Sequence, residues 1–261
     1  MKDIKVLAII NFVVFIATVI VNQLAIALPI NGMTTGELSD MYPNLFVPAG
    51  ITFSIWGIIY LFMLAFCVHQ LVVALQSSKN ELFIRKIGLW FIVSSAANCC
   101  WILAWHYVYT ELSLLIMLLL LYSLIKIYLN LYQIRSNVSN TTKWIVITGF
   151  SIYLGWITVA TIANTTAVLV DWGWEGGLIG APLWTMIMMS VAIGMGIYFA
   201  IFRLNIAYTL VVIWALYGIY LKRTSDIELE HGIILLSQIG MIVSALSLAY
   251  PLYKKVVKRN Q

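Results

Sequence analysis

Long apolar runs constrain this chain more than any other feature. Residues 6–28, 48–76, 89–106, 114–133, 144–170, 181–202, 206–221 and 233–253 are almost free of charge. A helix needs about 20 such residues to cross the hydrocarbon of a bilayer. The runs are continuous rather than alternating, so they read as helices and not as barrel strands. Composition agrees: the chain is 62% hydrophobic and 10% charged, where a soluble domain carries roughly a quarter charged residues. The expected fold class is an all-α integral membrane protein with about eight transmembrane helices.

Charge placement gives that expectation an orientation. With a cytoplasmic N-terminus, Lys2, Lys5, Lys79, Arg85, Lys86, Lys126, Arg135, Lys143, Arg203, Lys254, Lys255, Lys258 and Arg259 fall on or toward the inner side. Of the 15 Lys and Arg, only Lys222 and Arg223 fall outside. Cytoplasmic loops carry such an excess of cations, so both termini are expected in the cytoplasm of a multi-pass cell-membrane protein. The net charge of +5 then reflects loops facing anionic lipid and implies no nucleic-acid partner. Lys2, Lys5, the first apolar run and Ala25-Ile26-Ala27 also resemble a cleaved signal peptide. The run is longer than most signal cores, and the first helix is expected to be retained. Cys67, Cys99 and Cys100 all lie inside runs and form no C-x-x-C motif, so no disulfide framework is expected.

Two outer loops stand out. Residues 29–47, PINGMTTGELSDMYPNLFV, form the longest connection, acidic through Glu37 and Asp40. Long loops in compact proteins are often lids or binding elements. The second, DWGWEGGLIG at 171–180, contains Trp172 and Trp174, read here as membrane-interface residues. The last three runs are richer in small residues, with Ala192 and Gly196 at helix-packing spacing, suited to contact within the chain or in a homodimer. Residues 1–170 hold nearly all the intramembrane polar groups. The expected organisation is therefore a bundle over 1–170 and a three-helix membrane segment with a basic tail over 171–261.

Three helix faces carry aromatic and polar residues together. In VPAGITFSIWGIIY, Phe53, Trp56 and Tyr60 recur three and four residues apart. In SSAANCCWILAWH, Ser94, Asn98, Trp101 and Trp105 share one face, and in IYLGWITVATIAN so do Tyr153, Trp156, Ala160 and Asn164. An Asn amide in hydrocarbon must find hydrogen-bond partners or cost a few kcal/mol. Asn98 and Asn164 should thus face protein or a cavity, with their Trp neighbours turned inward as well. Such faces either fill a core, with the amides bonded across helices, or line a small-molecule pocket.

The same stretches resemble the TspO/MBR family, the translocator protein and the tryptophan-rich sensory proteins. Pro48, Trp56 and Tyr60 match its second-helix motif, Pro-Pro-x-Trp-x-x-x-Pro-Val-Trp-x-x-Leu-Tyr. Ala96, Asn98 and Trp101 match the third-helix Ala-Leu-Asn-x-x-Trp. Tyr153, Leu154, Trp156, Thr161 and Asn164 match the fifth-helix Tyr-Leu-Ala-Trp-x-x-Phe-x-Thr-x-Leu-Asn. The chain departs from these motifs at Val47, Gly50, Ser54 and Val159. The resemblance implies a five-helix bundle, here followed by three further helices, with a pocket beneath the first outer loop. It implies a flat apolar ligand, a tetrapyrrole (porphyrin) or a lipid, and a sensory, regulatory or trafficking role. The ligand-binding candidates are Phe53, Trp56, Tyr60, Asn98, Trp101, Trp105, Tyr153, Trp156, Thr161 and Asn164.

Other polar residues point elsewhere. Lys126 lies in the fourth run, about two turns from its inner end, where a lysine can snorkel to the interface. His69, His106 and His231 are scattered, show no metal spacing and read as surface or interface histidines. Glu37, Asp40, Glu111, Asp171, Glu175, Asp226, Glu228 and Glu230 fall in or beside outer loops, with Asp3 and Glu81 on the inner side. No catalytic constellation emerges, so a non-enzymatic protein is expected, with no metal and no required cofactor. The expected partners are membrane lipid and a hydrophobic small molecule. A transporter of a small hydrophobic solute, or a structural membrane subunit, is the alternative.

Overall fold

The computed structural model describes residues 4–28, 30–76, 82–174 and 176–259. Lys2, Asp3, Pro29, Lys79, Glu81 and Glu175 lie outside the described residues, as do the side chains of Lys258 and Arg259. The helices are α1 (Ile4–Ala27), α2 (Thr35–Asp40), α3 (Ile55–Leu75), α4 (Leu82–Ile87), α5 (Trp90–His106), α6 (Thr110–Ile134), α7 (Asn140–Thr142), α8 (Thr148–Asp171), α9 (Gly180–Arg203), α10 (Ile206–Thr224), α11 (His231–Ser247) and α12 (Ala249–Arg259). No strand occurs among the described residues. The protein is an all-α integral membrane protein.

Among the described residues, seven stretches are long and apolar enough to cross a membrane: Ile4–Ala27, Gly50–Leu75, Thr110–Ile134, Asn140–Asp171, Gly177–Arg203, Ile206–Thr224 and His231–Val257. The remaining expected span, 89–106, is α5. It has 17 residues and reaches roughly 25 Å at 1.5 Å per residue. Left-handed residues mark both of its flanks, Gly88 at φ 55° and Val108 at φ 62°. α5 still reverses the chain, because Trp90 at its start meets Tyr122 midway along α6 and its end turns directly into α6.

Two compact units interleave along the chain: Met1–Leu38 with Ile55–Ile157, and Ser39–Ser54 with Thr158–Gln261. In the first, α1 packs on α3 and α5, while α5 and α4 pack on α6. Its core is a triad of edge-to-face rings, Phe66, Phe91 and Phe150, with centroids 5.0 to 5.9 Å apart. Gly149 lets α8 approach α3, since a Cβ there would sit 2.9 Å from Phe62 Cβ. Asn130 Nδ2 donates to Lys86 O at 2.9 Å, tying α6 to the end of α4.

In the second unit α9, α10 and α11 pack on one another. The small-residue stripe serves contact within the chain. Gly196 faces Val212, Thr209 Oγ1 donates to Gly196 O at 2.8 Å, and Phe199 stacks on Tyr208 at 3.7 Å. Segment 39–54 joins these helices. Ala49 N donates to Gly218 O at 2.9 Å, and Trp214 Nε1 donates to Thr52 O at 2.9 Å. Gly218 permits this, because a Cβ there would come within 2.9 Å of Pro48 Cβ. Lys222 pairs with Asp40, and Arg223 with Asp226 at 3.1 Å. The two cations on the expected outer side are thus both matched by carboxylates.

Substituting Gly149 or Gly196 by Leu should lower stability by about 1–3 kcal/mol through overpacking. Gly57→Ala, where an added Cβ meets nothing within 4 Å, should be tolerated. Thermal unfolding of the detergent-purified variants checks both expectations.

Candidate ligand-binding site

In the first unit, α3 and the opening turns of α8 bring four aromatic rings together. Trp56 stacks on Tyr60 with centroids 5.5 Å apart, meets Tyr153 edge-on at 5.9 Å, and meets Trp156 edge-on at 6.5 Å. Offset and edge-to-face arrangements suit ring quadrupoles, negative on the face and positive at the edge. Tyr153 and Trp156 are buried, whereas Trp56 and Tyr60 are half-buried. The aromatic stripe of the second run therefore turns toward α8 on its Trp56 and Tyr60 side.

A ladder of amides runs beside these rings. Asn98 on α5 is fully buried and accepts from Asn22 Nδ2 on α1 at 2.6 Å. Asn22 Nδ2 also donates to Thr18 O at 2.9 Å. About three turns earlier on α1, Asn11 Nδ2 donates to Gln70 Oε1 on α3 at 3.0 Å. Each pairing answers the cost of a carboxamide away from water. Tyr153 is a polar neighbour of Asn98, yet Asn98 Nδ2 makes no hydrogen bond of good geometry within the protein. A donor at full burial thus stands beside the aromatic cluster.

The first half of the long outer loop is clamped onto the end of α5. His106 is fully buried. Its Nε2 meets Thr35 Oγ1 at 3.0 Å, its Nδ1 meets Ile30 O at 3.0 Å, and its carbonyl accepts from Asn31 Nδ2 at 3.0 Å. Trp105 Nε1 donates to Thr35 O at 3.4 Å, and Trp105 stacks on Trp101. Thr34 and Glu37 form a capping box at the start of α2: Thr34 N donates to Glu37 Oε2 at 2.7 Å, and Glu37 N to Thr34 Oγ1 at 3.3 Å. The Thr34 N–H and hydroxyl hold the exposed Glu37 carboxyl below its ordinary range. That cap is complete above the usual carboxylate pKa and is lost as pH falls through the lowered one.

Comparison with known proteins places this architecture. The family model for TSPO-like protein matches residues 8–250. The chain belongs to the TSPO-like family. The match runs through α9, α10 and α11 as well as the earlier helices. No curated protein and no solved structure matches the chain.

Within this TSPO-like chain the ten expected site residues fall in both units. Trp56, Tyr60, Asn98, Trp101, Trp105, Tyr153 and Trp156 belong to the first, and Phe53, Thr161 and Asn164 to the second. Thr161 and Asn164 are buried and Phe53 is half-buried. His106 corrects the sequence reading, while His231 is exposed as expected. His106 is a buried loop clamp rather than a surface group, and half-buried His69 stacks on Phe83 while meeting Thr142 Oγ1 at 3.0 Å. Trp174 is likewise no simple interface residue, because it packs edge-on against Trp184 at 4.9 Å, whereas Trp172 is exposed. Lys126 Nζ lies 5.9 Å from the Trp90 and Tyr122 ring centres.

The sequence reading missed Asn22, although Asn11, Phe15, Thr18 and Asn22 repeat at spacings of four, three and four, the pattern already used for α5. His106 had no such signal, since its partners Ile30, Asn31 and Thr35 lie in a loop more than 70 residues earlier in the chain.

Asn22→Leu alone should destabilise the protein by about 1–3 kcal/mol, because it strands the Asn98 carbonyl. Adding Asn98→Leu should recover part of that loss, and a double-mutant cycle measures it. His106→Ala should speed amide exchange across 30–38 at least tenfold while leaving α6 unchanged, as read by hydrogen-exchange mass spectrometry.

Proposed function

We propose that this TSPO-like protein is a non-enzymatic, membrane-embedded binding protein for a flat apolar ligand, a tetrapyrrole or a lipid, in a sensory, regulatory or trafficking role. One observation carries the reading: Trp56 set edge-on to Trp156 and Tyr153, beside the fully buried amide of Asn98. Indole and phenol faces stack on planar rings with little loss of side-chain freedom. A single buried donor suits the sparse polar groups that fix a ligand's orientation in an otherwise apolar site. The ligand lies against Trp56, Tyr60, Tyr153 and Trp156 and accepts from Asn98. Trp101 and Trp105, which sit on α5 below the clamped loop, extend the wall. Phe53, Thr161 and Asn164 enter the proposal on sequence pattern alone.

The test is a titration of detergent-solubilised protein with a porphyrin, followed by the shift of its main absorbance band. Aromatic contacts of this kind are worth about 0.5–1.5 kcal/mol each. Trp56→Ala with Trp156→Ala should therefore weaken binding about tenfold or more, and Asn98→Leu should weaken it less. Unchanged affinity in the double variant, with unchanged thermal stability, would remove the aromatic cluster from the site.

A further inference from the structure

The last apolar run, 233–253, does not remain one helix. α11 stops at Ser247 and α12 opens at Ala249. Pro251 explains the break, because it has no N–H to donate to Ser247 O and its ring crowds that carbonyl. Leu252 N then bonds Leu248 O at 3.3 Å.

The packing of α11 shows where the break falls. Gly232 faces Met186 and Gly240 faces Ile193, so α11 runs alongside α9 at a constant offset of 46 to 47 residues. On that register Arg203, the last residue of α9, stands level with Ala249 and Tyr250. α12 therefore begins where α9 ends. Beyond that level Leu252 is 51%, Tyr253 65% and Val256 59% exposed.

The sequence of α12, AYPLYKKVVKR, is amphipathic at helical spacing. Ala249, Leu252, Tyr253 and Val256 share one side, and Lys254 and Lys255 lie on the other. Lys258 and Arg259 repeat the charge four residues on, and the chain from 249 to 261 contains no Asp or Glu. Four positive charges disfavour a second copy of the same helix as the occupant of this face. They complement an anionic surface, and the apolar side needs a place out of water. A helix with those two properties lies in the headgroup layer, with its apolar side at the acyl boundary and its lysines on phosphates.

We propose that α12 is a membrane-surface helix that docks on anionic phospholipid of the leaflet at the Arg203 end of α9. Its occupancy reports the charge of that leaflet.

The full-length protein in nanodiscs tests this. Amide exchange over 249–259 is measured in phosphatidylcholine alone and with phosphatidylglycerol added. The expected result is about tenfold slower exchange with the anionic lipid, reversed by high salt, which screens the attraction. Lys254→Glu with Lys255→Glu should abolish the difference and leave exchange in α9 and α10 unaltered, which separates lost docking from lost folding. Equal protection in both lipids would overturn the proposal, and so would protection that rises with protein concentration, the sign of self-association. Porphyrin affinity plays no part in this readout, so the two proposals fail independently.

Discussion

The first unit rests on the absence of a hydrogen-bonding solvent. A carboxamide in hydrocarbon has nowhere to turn except to another protein group. α1 carries Asn11 and Asn22 on its buried side, and each is answered by a single side chain, Gln70 on α3 and Asn98 on α5. Leucine-on-leucine contact favours no register between helices when lipid tails are equally apolar. These amide pairs do, because sliding α1 by one turn would strand four polar groups, Asn11, Asn22, Gln70 and Asn98. They set α1 against its two neighbours, α3 and α5.

The second unit solves the same problem with shape. Its helices meet through glycines, with Gly196 against Val212 and Gly240 against Ile193 and Leu216. Close backbone approach replaces polar pairing, as expected where van der Waals packing drives association. The charged pairs here lie at the end of α10, where Lys222 and Arg223 find Asp40 and Asp226. One chain thus uses two ways of holding helices together in lipid, a polar one and a steric one.

Much of this was legible beforehand, for stated reasons. Apolar runs of bilayer length can only become helices, so the positions of α1, α3, α6 and α8–α10 followed from hydropathy. The inward turn of Asn98, Tyr153 and Trp156 followed from spacing and the cost of a buried amide. Three things were not legible. The split at Pro251 was hidden because the apolar run continues through it. The burial of His106 depends on a distant loop, through Ile30 O, Asn31 Nδ2 and Thr35 Oγ1, which no helical spacing encodes. The interleaving of the units depends on contacts between residues about 160 positions apart, such as Thr52 with Trp214, and composition carries no trace of these.

The attachment of segment 39–54 to α10 has a consequence for biosynthesis. The partner indole, Trp214, follows Thr52 by 162 residues. At roughly 5–20 residues per second, ribosomes need on the order of ten to thirty seconds to cover that distance. Throughout that interval the nascent polypeptide holds Thr52, Pro48 and Asp40 without the surface that will receive them. Segment 39–54 can therefore reach its final seat only after α10 has been made, so the second unit is completed late.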